Sequence, residues 1–215
     1  ILEQGMRVVF FLAALTSIIA VALICIFLFA NGIPAMREIG LFDFLLGKNW
    51  SPTDVPPSFG ILPMILGSIY VTATAIIIGV PIGILAAVFM AKVCPTRAYR
   101  FLQPAVELLA GLSSVVYGFF GIVVIVPVIR NLFSATHTNG STILTAGVLL
   151  GIMILPTIIG ISEAAIRAVP DSYYEGSLAL GATHERSVFF TVLPAAKSGI
   201  LAAVILGIGR AIGET

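Results

Sequence analysis

The sequence has few charged residues and almost no net charge. Only 10% of its 215 residues are Asp, Glu, Lys or Arg, and the formal net charge is +1. A soluble domain carries about 25% charged residues, whereas 59% of this chain is hydrophobic. Packing in water could not bury that much apolar surface, so the composition predicts a multi-pass membrane protein. The small net charge argues against nucleic acid as a partner.

The sequence also lacks the motifs of several enzyme classes. It has no Gly-x-x-x-x-Gly-Lys-Ser/Thr phosphate loop, so the chain is not itself a P-loop ATPase. His137 and His184 are isolated in loops, and Cys25 and Cys94 lie in different segments, so we expect free thiols and no metal site. No nucleophile has a base at a plausible position. We therefore expect a protein that moves a substrate rather than converting it, with no catalytic residue.

Five apolar runs are long enough to cross a bilayer as helices, which predicts an all-α, polytopic fold. They cover residues 8–30, 61–91, 104–129, 142–162 and 198–215. The second run would be about 46 Å long as a helix, so it must tilt, protrude or bend. Gly79, Pro81 and Gly83 mark the expected bend. The fifth run is still apolar at Thr215, and we expect a sixth span beyond it.

The distribution of basic residues predicts an orientation. If the N-terminus is cytoplasmic, three basic residues fall in outside loops and seven fall in cytoplasmic segments. The seven are Arg7, Lys92, Arg97, Arg100, Arg167, Arg186 and Lys197. Since cytoplasmic loops carry an excess of Lys and Arg, we expect the N-terminus inside.

A polar stretch, residues 170–194, lies between the last two spans and would face the cytoplasm. Ser172 and Glu175 form a capping-box pattern, which predicts that a short helix begins at Ser172. Gly181 stands where that helix would end in the left-handed conformation. A second short run then leads into Leu193 and Pro194. An ordinary amphipathic surface loop, with Glu175 only capping its helix, is the alternative.

Two charged residues, Arg210 and Glu214, lie four apart in the last apolar run and so share a helix face. A charge at mid-membrane costs roughly 2.5–3.5 kcal/mol on insertion scales, so such residues normally face a cavity or a partner. The guanidinium fork suits the oxygens of phosphate or sulfate, and Glu214 could hold it when no anion is bound. The alternatives are a structural ion pair between helices and side chains that reach a nearby interface.

The polar stretch resembles the cytoplasmic coupling loop of bacterial ABC importer permeases. The motif there is Glu-Ala-Ala, three residues, Gly, nine residues and Ile-x-Leu-Pro, and four residues of this chain have that spacing; Gly and Ser replace the Ala pair, and Thr191 replaces Ile. The resemblance implies a coupling helix at residues 172–180. It also implies contact with a partner ATPase through Ser172, Glu175, Gly176, Ser177, Gly181, Leu193 and Pro194.

The run Gly-Arg-Ala-Ile-Gly-Glu-Thr at residues 209–215 resembles the signature of the permeases of the Pst phosphate importer. Stretches at 44–52, 59–63, 107–111 and 115–118 agree with the same family. The long loop after the first span, with Trp50, is closer to the C-type permease than to the A-type. Ser113 stands where this family has Pro, which we expect to straighten the third helix locally.

The resemblance implies a type I ABC importer permease fold. Residues 1–60 would form the N-terminal span and an extracytoplasmic loop, and residues 61–215 the permease domain with its coupling loop at 163–197. The implied function is a permease subunit that moves inorganic phosphate across the cytoplasmic (inner) membrane by alternating access, with Arg210 and Glu214 on the substrate pathway.

The resemblance also implies partners. They are a homologous A-type permease, a homodimeric cytoplasmic ATPase that binds ATP-Mg, an extracytoplasmic phosphate-binding protein and the lipid bilayer. The chain itself would hold no cofactor. Two alternatives remain: an ABC permease for another oxyanion or an amino acid, and a membrane scaffold or secondary transporter that needs no ATPase.

Overall fold

The computed structural model of the chain describes residues 2–133 and 139–215, with side chains from Gly5 onward. His137 lies outside the described residues. The chain divides into two compact units, Ile1–Ile65 and Leu66–Thr215. Helices make up most of both units.

The first unit consists of two helices and a short hairpin. Its elements are α1 (Leu2–Ile39), α2 (Leu41–Leu46), β1 (Trp50–Ser51) and β2 (Ser58–Phe59). The two strands pair antiparallel with Trp50 opposite Phe59, and the two rings meet edge to face with centroids 6.1 Å apart. A Cβ atom on Gly47 would lie only 2.6 Å from the Cα of Gly60, so the close approach at the base of this hairpin requires glycine.

Eight further helices follow in chain order. They are α3 (Leu62–Val88), α4 (Thr96–Gly111), α5 (Ser114–Phe120), α6 (Val126–Leu132), α7 (Ile143–Arg167), α8 (Asp171–Ala179), α9 (His184–Ser187) and α10 (Leu193–Glu214). Three π turns, Phe89–Val93, Gly121–Ile125 and Val188–Val192, extend α3, join α5 to α6 and join α9 to α10.

Within the described residues, five helical segments are long and apolar enough to span a membrane, as predicted. They are Gly5–Ile39, Leu62–Val93, Ser114–Leu132, Ile143–Arg167 and His184–Glu214. The third span is shorter than the predicted 104–129, and the fourth extends beyond the predicted 162 to Arg167. The fifth begins at His184, inside the polar stretch, rather than at the predicted 198. Residues 168–183 are therefore all that connects the last two spans.

The third apolar run is broken, and the prediction that Ser113 straightens it is wrong. Leu112 and Ser113 both have extended backbone, with ψ of 138° and 153°, so α4 ends before them and α5 begins after them. The Tyr117 hydroxyl donates a hydrogen bond to the Leu109 carbonyl at 2.8 Å. The same carbonyl accepts the Leu112 N–H at 3.3 Å, so the Tyr117 bond is a second one that links α5 across the break to the last turn of α4.

The fifth span continues through Pro194, although proline usually interrupts a helix. Proline has no amide N–H, and its ring clashes with the carbonyl four residues earlier in a regular α-helix. Here the π turn Val188–Val192 immediately precedes α10, and Pro194 occupies the first turn of that helix. The wider π turn accommodates the proline, so α9, the π turn and α10 form one continuous segment.

Helix α7 lies at the centre of the second unit, between α3 and α10. A Cβ atom on Gly79 of α3 would lie 3.0 Å from the Gly151 carbonyl oxygen of α7, and one on Gly83 would lie 2.8 Å from Ile158. Ile158 is fully buried, and on its other side a Cβ on Gly207 of α10 would also lie 2.8 Å from it. The glycines thus allow three long helices to pack closely. Helix α3 is continuous through Pro81.

Candidate functional site

Helix α8 is the short helix predicted in the polar stretch, but it does not begin with the predicted capping box. It starts at Asp171, its N-cap residue is Pro170, and no side chain caps it. Ser172 is already inside the first turn, where its hydroxyl cannot cap the helix. The Tyr173 N–H donates to the Pro170 carbonyl at 3.1 Å. The fixed φ of Pro170 sets the start of the helix one residue earlier than the Ser172–Glu175 pattern predicted.

The end of α8 agrees with the prediction. Gly181 has a φ of +86°, in the left-handed region. Its N–H donates to the Leu178 carbonyl at 2.9 Å, and the Ala182 N–H donates to the Ser177 carbonyl at 3.2 Å. This pair of bonds is a Schellman motif, which satisfies the last free carbonyls of a helix and favours glycine at this position.

Two side-chain contacts attach α8 to the start of the last span. The Tyr174 hydroxyl lies 2.7 Å from the Nδ1 atom of His184. The Ser177 hydroxyl donates to the buried Ser187 hydroxyl, which donates in turn to the Thr183 carbonyl at 2.9 Å. Tyr174 also packs against the hydrophobic cluster formed by the ends of α3, α7 and α10. Ser177, predicted to contact an ATPase, is therefore engaged within this chain.

The other side of α8 is open. Ser172, Glu175 and Gly176 are exposed, and a Cβ atom on Gly176 would meet nothing within 4 Å. Next to them, Tyr173 is 54% and Leu180 is 91% exposed. A helix that presents a carboxylate, a flat glycine surface and exposed apolar side chains can bind a groove on another protein. Of the remaining predicted coupling residues, Pro194 is exposed and Leu193 packs against the hydrophobic cluster.

A cluster of polar residues beside α8 was missed from the sequence. Arg167, at the end of α7, pairs through Nε with the carboxylate of Glu163 and donates through Nη2 to the Met90 carbonyl at 3.1 Å. Its guanidinium lies 4.4 Å from the centre of the Tyr99 ring, and the Tyr99 hydroxyl donates to Glu163 at 3.0 Å. We call Met90, Tyr99, Glu163 and Arg167 the Arg167 cluster.

The surroundings of Tyr99 favour its neutral, donating form. Burial raises the pKa of the Tyr99 phenol above its ordinary value, and the hydrogen bond to Glu163 and the charge of Glu163 raise it further, although the charge of Arg167 lowers it. Glu163 itself is buried, at 9% exposure, and its carboxylate accepts hydrogen bonds from the Tyr99 hydroxyl and from Nε of Arg167. The available sequence signal was the four-residue spacing of Glu163 and Arg167, which places them on one helix face.

The predicted pair of Arg210 and Glu214 is not formed. The half-buried Arg210 donates through Nη1 to the Thr157 hydroxyl of α7 at 3.3 Å, while Glu214 is exposed in the last turn of α10. Among the described residues, the ion pairs are those of Lys92 with Asp171 and of Arg167 with Glu163. The alternative in which Arg210 and Glu214 form a structural ion pair is therefore not supported by the described part of this chain.

The expectation of free thiols and no metal site concerns the His, Cys, Asp and Glu side chains of the described part of the chain. Within residues 2–133 and 139–215, no three His, Cys, Asp or Glu side chains form a group that could hold a metal. Cys25 is exposed and Cys94 is partly exposed, and both are free thiols in this structure. The candidate site is therefore made of the α8 surface, the Arg167 cluster and the Arg210–Thr157 contact.

Several named proteins are similar to nearly the whole chain. The "Probable ABC transporter permease protein YqgH" of Bacillus subtilis is 42% identical over 210 residues, which is 97% of this chain. "Phosphate transport system permease protein PstC 2" of Mycobacterium tuberculosis is 34% identical over 94% of the chain, and PstC of Mesorhizobium japonicum is also 34% identical over 94%. The matches cover 67%, 68% and 66% of these three relatives, respectively.

A profile of the family described as "Binding-protein-dependent transport system inner membrane component" matches residues 79–215. The match includes α7, α8, α10, the Arg167 cluster and the Arg210–Thr157 contact. Together with the five apolar helices, it makes the chain a multi-pass membrane protein and a transport subunit rather than an enzyme. The chain belongs to the family of binding-protein-dependent transport system inner membrane components, which have the helical type I ABC permease fold.

Proposed function

We propose that the chain is the permease subunit of an ATP-driven importer that moves inorganic phosphate across the cytoplasmic membrane by alternating access. The observation that carries the proposal is the similarity to named phosphate permeases, at 34% identity over 94% of the chain. The partners we propose are an A-type permease, a homodimeric ATPase that binds ATP-Mg, and an extracytoplasmic phosphate-binding protein. The distribution of basic residues supports a cytoplasmic N-terminus.

Arg210 is the residue we propose on the substrate pathway. Its guanidinium is half-buried in a membrane helix, and its one side-chain hydrogen bond among the described residues goes to the neutral Thr157 hydroxyl. Because a neutral hydroxyl leaves the positive charge uncompensated, the guanidinium can still attract an anion. Glu214, one turn further along α10, would repel the anion and keep its binding weak. A weak site releases phosphate, whereas a tight one would trap it.

The α8 surface is where we propose that the ATPase binds. Glu175 and Gly176 are exposed beside the apolar side chains of Tyr173 and Leu180, which suits a groove on a soluble partner. Closure of the ATPase dimer on ATP would move α8. The spans would then reorient around the pore, because a ligand that favours one of two conformations shifts the population towards it.

The experiment is uptake of labelled phosphate into vesicles that contain the whole complex, with ATP hydrolysis followed in parallel. We expect ATP-dependent uptake that unlabelled phosphate competes for and that sulfate, molybdate and amino acids do not. In Arg210→Ala we expect uptake to be lost while the complex assembles and hydrolyses ATP. Lys197→Ala, which removes an exposed cation from the same helix, is the matched control. Uptake of another substrate in place of phosphate would refute the proposed specificity.

A further inference from the structure

The Met90 carbonyl is available to Arg167 because the end of α3 is a π turn. In a regular α-helix this carbonyl would accept the N–H of Cys94, four residues later. In the π turn Phe89–Val93, the Cys94 N–H donates instead to the Phe89 carbonyl at 2.8 Å. The next backbone nitrogen belongs to Pro95, which has no N–H to donate. Arg167 therefore supplies the hydrogen bond that the backbone does not.

The same π turn is bonded to the first residue of α8. The ammonium of Lys92 lies 3.4 Å from the Asp171 carboxylate and 5.7 Å from the centre of the Tyr174 ring. The Asp171 side chain is 79% exposed, so this ion pair contributes little on its own. The Arg167 side chain is 45% exposed, but its partner Glu163 is buried and the Arg167 cluster has three hydrogen bonds, so we expect it to provide most of the rigidity.

The fork geometry of Arg167 explains how one residue can fix three helices. It bonds Glu163 on α7 and Met90 at the end of α3, and it stacks on Tyr99 of α4. Only three residues, 168–170, separate Arg167 from α8. A lysine could keep the charge but could not make both hydrogen bonds in this planar arrangement.

We propose that Arg167 is a positioning residue that transmits the movement of α8 to the π turn Phe89–Val93, which extends α3. This inference rests on the coupling role proposed above for α8. Coupling between two sites needs a connecting element with two arrangements, and each site must shift the equilibrium between them. The Arg167 cluster is that connection, because a displacement of α8 pulls directly on the end of α7 and, through Met90, on the end of α3.

Cys94, the residue that closes the π turn, reports the position of this end of α3. In the complex with its ATPase and with Cys25→Ala, we would measure the rate of maleimide labelling of Cys94 with and without a non-hydrolysable ATP analogue. We expect the nucleotide to change this rate by at least about fivefold, a typical size for coupling between sites. In Arg167→Gln and in Arg167→Lys we expect the change to fall below about twofold, with the complex still assembled.

Arg100→Gln is the matched control, because it removes an exposed cation from α4 without touching the Arg167 cluster; it should keep the full nucleotide response. A full response in both Arg167 variants would overturn the proposal, and so would the absence of any response at Cys94 in the parent complex. A full response in Arg167→Lys together with a lost response in Arg167→Gln would overturn the role of the guanidinium fork, because the charge alone would then be sufficient. None of these readouts needs phosphate, so a failed uptake experiment and a failed Arg167 experiment are distinguishable.

Discussion

Ile158 is wedged between two glycines, and this arrangement makes a quantitative prediction for Gly207→Ala. A Cβ atom on Gly207 would lie 2.8 Å from Cγ1 of Ile158. Ile158 is fully buried, and a Cβ atom on Gly83 would also lie 2.8 Å from its Cγ2 atom, so the side chain has little room to shift towards α3. We expect overpacking to cost about 1–3 kcal/mol, with up to about 1 kcal/mol offset by the better helix propensity of alanine.

The assay is a double-mutant cycle between Gly207 and Ile158, with unfolding of the purified protein in mixed micelles followed by circular dichroism. Ile158→Ala alone should cost about 2–5 kcal/mol, because it leaves a cavity. In the double variant the new methyl group fills part of that cavity. The double variant should therefore be more stable than the sum of the single effects by at least about 0.5 kcal/mol.

The control is Gly160→Ala, on the same α7 helix as Ile158, where an added Cβ would meet nothing within 4 Å. We expect no loss of stability there. Additive effects of Gly207→Ala and Ile158→Ala, or an equal loss in Gly160→Ala, would refute the reasoning. The outcome bears on function, because the contact between α7 and α10 also fixes the distance between Thr157 and Arg210.

Three further predictions follow from single contacts. Thr157→Val removes the hydrogen-bond partner of Arg210 and should lower phosphate uptake several-fold at unchanged ATP hydrolysis, whereas Thr157→Ser should retain uptake; equal uptake in both would contradict the role of that hydroxyl. Gly181→Ala forces a side chain into the left-handed region and should cost about 1–2 kcal/mol in thermal unfolding, whereas Gly176→Ala, inside α8, should stabilise by up to about 1 kcal/mol. The folded state raises the pKa of Tyr99. The stability that the neutral Tyr99 phenol contributes should therefore be present below the ordinary tyrosine pKa of about 10 and be lost as pH rises through the folded value. An unfolding series against pH that is the same for the parent and Tyr99→Phe would refute this.

The sequence predicted the features that depend on composition and local backbone chemistry. Five spans were visible because a bilayer requires long apolar runs, and the left-handed Gly181 was visible because few other residues adopt that conformation. The start of α8 was placed one residue late, since the pattern of Ser172 and Glu175 competed with Pro170, whose fixed φ determined the actual start.

The contacts of charged side chains could not be predicted, because they depend on tertiary distance. The four-residue spacing is the same for Glu163 with Arg167 and for Arg210 with Glu214, yet only the first pair forms. Glu163 is buried and needs a counter-charge, whereas Glu214 lies exposed in the last turn of α10. Four-residue spacing shows only that two side chains on a helix can come into contact. A buried charge needs a partner because leaving it unpaired is strongly destabilising, whereas an exposed charge does not.

The position of α8 follows from the fact that so short a helix cannot be stable alone. Isolated helices of fewer than about 12–15 residues are marginal in water, and α8 has nine residues, most of them exposed. Its order comes from tertiary contacts: Tyr174 packs against the hydrophobic cluster formed by the ends of α3, α7 and α10, and the last turn is bonded to α9 through Ser177 and Ser187. A movement of α8 therefore reaches the ends of α3 and α10, and both of these helices pack against Ile158. Arg210 lies one turn beyond that contact in α10, so the same packing that holds the bundle together connects the α8 surface to the proposed anion pathway.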